Sequence, residues 1–188
     1  MIQRPYTAFW GEMSAFEHFV QIYEKEELYL DTLADYAGHG IESGDAVVLI
    51  LTPTHREAIE LRLRRQGFGV SALQDDDQLI LLDAAGTLTK FMVNDWPDDK
   101  LFEGVVTSIL RRAAGKNQRK VRAFGEMVAL MWAQGQCGAT IRLEHLWHAL
   151  CKKESLPLFC AYPKSGHTEH PHDSISQLCA IHSKVLIE

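Results

Sequence analysis

One short segment constrains the fold of this chain more than any other. Residues 45–51 read Asp-Ala-Val-Val-Leu-Ile-Leu, with no polar residue after the aspartate. A strand that faces water on one side alternates polar and apolar residues, whereas a continuous apolar run is typical of a strand buried on both faces in a parallel sheet. Thr52 can cap a following helix, and Pro53 suits its first turn. The segment therefore predicts a central parallel strand that leads directly into a helix.

The same unit recurs along the chain. We predict strands over residues 16–23, 45–51, 78–82, 121–124 and 156–162, and helices over residues 28–37, 53–66, 84–93, 97–110, 127–132, 139–152 and 174–182. Gly38 and Gly40 are expected to end the first helix, because glycine is common just past helix ends. Strands that alternate with helices form a parallel sheet covered on both faces. The predicted fold class is α/β, a three-layer α/β/α arrangement with a mostly parallel central sheet.

Length and composition indicate one globular domain. The chain has 188 residues, of which 46% are hydrophobic and 23% charged, and one hydrophobic core is the norm at this size. We predict an N-terminal arm over residues 1–15, the domain over 16–166, and a His-rich C-terminal tail over 167–188 that includes the short helix.

Charge and cysteine content argue against several classes of protein. The net charge of −6 disfavours binding to nucleic acid, which needs a basic face. The basic residues between Arg111 and Arg122 are interpreted as a solvated helix end and turn. The longest apolar run, residues 46–51, is far too short to cross a bilayer. Four cysteines without C-x-x-C spacing and no secretory signal at the N-terminus predict a cytoplasmic protein without disulfides.

The segment after the first predicted strand argues against nucleotide hydrolysis. A phosphate-binding loop needs G-x-x-x-x-G-K-[S/T] at this place. Residues 24–29 read Glu-Lys-Glu-Glu-Leu-Tyr, with no glycine and three carboxylates that would repel a triphosphate. We therefore predict no NTPase activity and no cofactor.

Ligands of parallel sheets bind at the carboxyl ends of the strands. Applied here, this rule predicts a ligand site lined by Tyr23, Glu24, Arg122, Glu126, Cys160 and Tyr162. Arg122 could hold a carboxylate, or it could form an ion pair with Glu126 that stabilises the turn. Cys160 could be a reactive thiol, although cysteine is more often a core residue.

The histidines suggest metal binding only weakly. His145 and His148 share one helix face with Cys151, and four of the other histidines are near the C-terminus. Neither group has a recognised zinc spacing, so we predict no metal site. His18 is interpreted as a half-buried residue of the first strand.

Five segments, in chain order, resemble the MEDS domain (methanogen/methylotroph DcmR sensory domain). They are His-Phe-Val-Gln-Ile-Tyr-Glu at 18–24, Leu-Leu-Asp-Ala at 81–84, Arg-Ala-Phe-Gly-Glu-Met at 122–127, Leu-Glu-His-Leu-Trp at 143–147 and Cys-Ala-Tyr-Pro at 160–163. The resemblance covers about residues 17–164. It implies a RecA/KaiC-like fold without a working Walker A loop, and a non-catalytic role in bacterial or archaeal signalling that responds to small organic compounds.

The resemblance also implies partners. Members of the family can add a histidine kinase or a DNA-binding domain, whereas here only short segments lie outside the similar region. Direct DNA binding and phosphotransfer are therefore not expected. A sensor of this kind needs a signalling partner, such as a histidine kinase or a transcription regulator, or it forms a homo-oligomer.

Three hypotheses remain open at this point. The first is a sensory or regulatory domain that binds a small organic ligand at the strand ends. The second is an enzyme with Glu126 as base and Cys160 as nucleophile, although no third residue completes this pair. The third is an interaction or oligomerisation module derived from a RecA-like NTPase.

Overall fold

A computed structural model describes Trp10, Ser14, residues 16–165, Ser176 and residues 178–187. Its strands and helices, in chain order, are β1 (His18–Tyr23), α1 (Glu26–Glu42), β2 (Ala46–Leu51), α2 (Pro53–Arg65), α3 (Val70–Asp75), β3 (Leu79–Asp83), α4 (Ala84–Leu88), β4 (Met92–Val93), β5 (Trp96–Pro97), α5 (Asp99–Ala114), β6 (Val121–Gly125), α6 (Met127–Ala133), α7 (Cys137–Glu154), β7 (Leu158–Pro163) and β8 (Lys184–Ile187).

The central sheet has six strands in the order β3-β2-β6-β7-β1-β8. Every neighbouring pair in this sheet runs parallel. The carboxyl ends of the strands therefore meet along one edge, called here the carboxyl edge, and the opposite edge is the amino edge. The predicted three-layer α/β/α class is confirmed. β2 is an interior strand, second from one edge of the sheet, and is buried along its whole length.

Side chains of the buried strands alternate between two hydrophobic cores. Ala46, Val48 and Ile50 of β2 belong to the core that packs against α5, α6 and α7. Val47 and Leu49 belong to the core on the other face, under α1 and α2. An apolar run without polar alternation is what a strand between two such cores requires.

The sixth strand was not predicted. Residues 184–187 of β8 pair with residues 19–22 of β1 at the edge of the sheet. The strand is short, and Val185 and Ile187 point outward and are exposed. Part of the predicted tail thus belongs to the sheet, while residues 166–175 lie outside the described residues. The predicted division into arm, domain and tail stays a prediction.

The prediction of a helix over residues 84–93 was partly wrong. The helix ends at Leu88, and β4 and β5 form a small antiparallel hairpin. Asn94 and Asp95 form its two-residue loop with φ values of 50° and 60°, and short polar side chains tolerate this conformation best. Pro97 belongs to β5 rather than to the next helix, which begins at Asp99 after an Asp98 cap.

The first helix does not end at its glycines. It continues to Glu42, and Gly40 lies inside it at a close approach to the sheet. A Cβ atom at Gly40 would lie 2.5 Å from Cδ of Arg122 and 2.9 Å from Cγ2 of Val47. The glycine therefore allows this helix to pack closely against β2 and β6.

A pair of glycine substitutions tests this packing. Gly40→Ala is expected to lower the free energy of unfolding by about 1–3 kcal/mol, because the methyl group overpacks the interface with Arg122 and Val47. Gly104 lies on the exposed face of α5, where an added Cβ atom would meet no other atom within 4 Å, so Gly104→Ala should raise stability by about 0.5–1 kcal/mol. Urea denaturation of both variants measures the change in the free energy of unfolding, which should be negative for Gly40→Ala and positive for Gly104→Ala. Equal effects would show that the close approach at Gly40 costs nothing.

Within the described residues, no helix combines the length and the apolar character that crossing a bilayer requires.

Candidate functional site

A buried carboxylate lies at the carboxyl edge, where β6 ends. Glu126 is 5% exposed, and its backbone N–H donates to the carbonyl of Ile50 at the end of β2 (2.9 Å). The hydroxyl of Tyr29 donates to Oε1 (3.0 Å), and the backbone N–H of Thr52 donates to Oε2 (2.6 Å). Nδ1 of His55 forms the third hydrogen bond of this carboxylate, also with Oε1. The carboxylate thus joins the start of α1, α2 and α6.

At the start of α2, the position where an anionic ligand could bind is filled by the carboxylate of Glu126. Thr52 precedes α2 and makes no side-chain cap, and its backbone N–H donates to the carboxylate of Glu126. Helix N-termini attract anions because their N–H groups lack partners within the helix. A ligand phosphate would have to displace Glu126 from this position.

Two stacked tyrosines complete the site. The rings of Tyr23 and Tyr29 lie parallel with centroids 4.6 Å apart, and Tyr29 is fully buried whereas Tyr23 is partly exposed. Burial, together with the charges of Glu126 and Glu26, raises the pKa of Tyr23 to about 12. Its hydroxyl therefore stays neutral and can donate a hydrogen bond. We call Tyr23, Glu26, Tyr29, His55 and Glu126 the edge cluster.

His55 is the basic group of the edge cluster. Its hydrogen bond to Glu126 raises the pKa of the imidazole, burial works in the opposite direction, and Glu26 adds to the rise. Nε2 of His55 lies 3.5 Å from the exposed carboxylate of Glu26. With two carboxylates facing one imidazole, the edge cluster has a negative balance.

The six residues predicted to line a single ligand site lie in three places. Tyr23 and Glu126 belong to the edge cluster. Glu24 lies at the same edge and forms an exposed ion pair with Lys164. Cys160 and Tyr162 lie in β7 on the face that packs against α7, and Arg122 lies near the amino edge. Their role in ligand binding stays a prediction.

The ion pair between Arg122 and Glu126, one of the two alternatives considered for these residues, is not formed. Arg122 is the second residue of β6, and its guanidinium donates to Oδ2 of Asp45 from Nε (3.0 Å) and Nη2 (2.5 Å). Four residues of a strand span about 13 Å, which separates Arg122 from Glu126. Asp45 precedes β2 and therefore lies at the same amino edge as Arg122.

A groove at the amino edge contains much of the predicted basic cluster. It has a volume of about 960 Å³, and the basic side chains that line it are Arg111, Arg119, Lys120 and Arg122. Arg119 and Arg122 are each paired with an aspartate. Arg111 and Arg112 lie in the last turn of α5, and residues 115–120 connect it to β6. The cluster is therefore a helix end and turn before a strand, as interpreted from the sequence, and it also borders this groove.

A second polar group lies inside the domain and was not predicted. It consists of His18 in β1, Glu144 in α7, Cys160 in β7 and His182 before β8, all buried; we call it the buried cluster. Nε2 of His18 lies 3.3 Å from Sγ of Cys160 and 3.3 Å from Oε2 of Glu144. The hydroxyl of Tyr162 donates to Oε1 of Glu144.

The electrostatics of the buried cluster disfavour a reactive thiol. Burial and the nearby Glu144 raise the pKa of Cys160 well above its ordinary value. Burial also opposes ionisation of Glu144, but the facing imidazoles of His182 and His18 outweigh it and hold the pKa of the carboxyl below its usual range. A protonated thiol is a weak nucleophile. Cys160 and Glu126, moreover, have separate partners, so the proposed base and nucleophile are not paired.

Comparison with known proteins agrees with the resemblance in the sequence. Residues 17–183 match the sequence profile of the MEDS family, described as the methanogen/methylotroph DcmR sensory domain. A search of curated proteins found no match.

Proposed function

Because this chain belongs to the MEDS family of sensory domains, we propose that it senses a small organic molecule at the edge cluster. Membership in this family supports a sensory or regulatory role and favours a non-enzymatic one. The observation that carries the ligand proposal is the position of Tyr23 and His55, which are partly exposed above the buried Glu126 at the carboxyl ends of the strands. Ligands of open parallel sheets bind at this edge.

The charge of the site selects the class of ligand. Glu26 of the edge cluster and the adjacent Glu27 lie in the first turn of α1. The segment before this helix lacks the phosphate-binding loop motif. Carboxylates at this place repel phosphates and other anions. The tyrosine face of Tyr23 favours apolar groups and cations. The proposed ligand is therefore a neutral or cationic small organic molecule.

The hydrogen bonds of Glu126 offer a route for the signal. They connect α1 through Tyr29 and α2 through Thr52 and His55. A ligand that bonds to His55 competes with Glu126 and Glu26 for the imidazole, which shifts the balance of bonds between α1 and α2. A histidine kinase, a transcription regulator or a second copy of the chain would then detect the altered helix surface.

A ligand screen on two variants tests the proposal. Neutral, cationic and anionic small compounds are compared by thermal shift and then by calorimetry, and the magnesium complex of ATP is one of the anions. Neutral or cationic compounds should raise the Tm, and Tyr23→Ala should weaken their binding at least tenfold because it removes the exposed ring. Phe16→Ala is the matched control, since this exposed aromatic residue precedes the same strand at the opposite edge.

Two outcomes would contradict the proposal. Preferential binding of ATP or other anions would contradict the charge argument. Binding that Tyr23→Ala leaves unchanged would place the ligand elsewhere in the domain.

Self-association is the second candidate function, and one observation favours it. β8 is an edge strand, and its side chains Val185 and Ile187 are exposed. Edge strands with exposed apolar residues are surfaces on which a second chain can pair. Light scattering over a range of concentrations tests this, and a monomer throughout would count against it.

A further inference from the structure

We propose that His18, Glu144, Cys160 and His182 bind a divalent transition metal ion, with Zn²⁺ as the best fit. One ligand atom from each residue lies within 4.8 Å of all the others, and all four residues are buried. They come from four separate parts of the chain, which converge between β1, β7 and α7. The site is independent of the edge cluster and of the ligand proposed there.

Four of the six distances between the ligand atoms are close to those of a tetrahedral shell. Nitrogen, oxygen and sulfur ligands at 2.0–2.3 Å from a tetrahedral ion lie about 3.3–3.6 Å from one another. Nε2 of His18 lies 3.3 Å from both Cys160 Sγ and Glu144 Oε2. Oε2 of Glu144 lies 3.5 Å from Nε2 of His182 and 3.8 Å from Cys160 Sγ. An ion can therefore enter the centre with small movements of these side chains.

The hydrogen bond of His182 to the backbone leaves its Nε2 facing the centre of the cluster. Nδ1 of His182 lies 2.7 Å from the carbonyl oxygen of Leu178, which can only accept, so this nitrogen carries the hydrogen. Nε2 is therefore the nitrogen that can bind an ion once the ring is neutral, and it has no hydrogen-bond partner among the described residues. A metal-binding histidine commonly donates its other N–H to a backbone carbonyl in this way.

A hydrogen bond also orients the carboxylate of Glu144 toward the centre of the cluster. The hydroxyl of Tyr162 donates to Oε1, which leaves Oε2 directed at His18, Cys160 and His182. Tyr162 thus acts as a positioning residue that contacts the carboxylate and not the ion. Ligating carboxylates are usually held by such an outer hydrogen bond.

The ligand set selects the metal. Two imidazoles, a thiolate and a carboxylate suit Zn²⁺ and Co²⁺, whereas Mg²⁺ and Ca²⁺ prefer oxygen ligands alone. On binding, the thiol of Cys160 and any protonated imidazole release their protons to solvent. Four protein ligands and full burial leave no open position, which is typical of a structural site rather than a catalytic one.

The metal would fasten the C-terminal segment to the domain. His182 directly precedes β8, and the other three ligands lie in β1, α7 and β7. An ion at this place therefore links the edge strand to three elements of the core. Because the unfolded chain holds no preformed site, metal binding adds to the stability of the folded state.

Titration with Co²⁺ tests the proposal on the full chain after chelation and removal of the chelator. We expect one equivalent of Co²⁺ to give visible d–d bands of a tetrahedral ion and a near-ultraviolet thiolate charge-transfer band, and Zn²⁺ to displace it and raise the Tm. Cys160→Ala should remove the thiolate band and weaken Zn²⁺ binding at least 100-fold. Cys151→Ala is the matched control, because Cys151 is also buried in this core but is not a ligand.

The spectrum also separates the buried cluster from other metal sites. The histidines at positions 167, 170 and 172 could bind Co²⁺ without a thiolate band, and binding of that kind alone would overturn the proposal. A thiolate band that survives in Cys160→Ala would do the same. If Cys160→Ala does not fold, His182→Gln provides the second test, because loss of one ligand should weaken Zn²⁺ binding and alter the d–d bands.

Discussion

Glu144→Ala is expected to lower the free energy of unfolding by about 3–5 kcal/mol in the presence of EDTA, because it breaks a buried charge pair from one side. Glu144 is fully buried and faces the imidazoles of His18 and His182. Burial lowers the pKa of the His182 imidazole, but Glu144 outweighs burial and raises it, so removal of the carboxylate leaves this ring without a counter-charge. It also deprives the buried hydroxyl of Tyr162 of its acceptor, which adds the cost of an unsatisfied polar group.

The matched control lies on the same helix. Glu154 is the last residue of α7 and is exposed, so Glu154→Ala should change stability by about 0.5 kcal/mol or less. Urea denaturation of both variants, with the chelator present, gives the comparison. If Glu144→Ala costs no more than Glu154→Ala, the carboxylate does not stabilise the imidazoles that face it.

Trp10→Ala is expected to cost about 3–5 kcal/mol, the usual loss for a large aromatic side chain in a core. Trp10 precedes the first strand and falls in the region predicted as an arm, yet it is only 2% exposed. Its ring makes edge contacts with Phe19 and Tyr36, at centroid distances of 5.3 and 5.0 Å. Truncation leaves a cavity between β1 and α1 that these aromatic rings cannot fill.

An exposed tryptophan serves as the control for this prediction. Trp96 in the β4–β5 hairpin is 50% exposed, and Trp96→Ala should cost about 1 kcal/mol or less. Thermal unfolding followed by circular dichroism measures both variants. A small effect at both positions would mean that the N-terminal segment is an arm after all, with Trp10 contributing little to the core.

The central strands could be predicted from the sequence because their pattern is local. β2 and β3 are continuous apolar runs, and burial on both faces requires such runs. β8 could not be found in this way, since residues 184–187 include a lysine and two exposed apolar side chains. Only pairing with β1 makes these residues a strand. The β4–β5 hairpin depends in the same way on an Asn-Asp turn that a helical pattern obscured.

The candidate site was predicted in part. Tyr23 and Glu126 follow from the rule that ligands bind at strand ends, and both lie in the edge cluster. His55 and Tyr29 did not follow, because they lie in helices and their direction depends on how α1 and α2 pack on the sheet. Arg122 was placed at the wrong edge, since a residue near the start of a strand lies far from one just past its end.

The sequence by itself determined the layers of this protein, because the period of apolar residues records which faces of each strand and helix are buried. It also carried the motifs that identify its family. Only the tertiary structure decided which side chains meet. β1 pairs with β7 and β8, strands more than 130 residues away, and this order brings His18 to Cys160 and His182. Neighbours across a parallel sheet are set by strand order, which no local pattern of residues records.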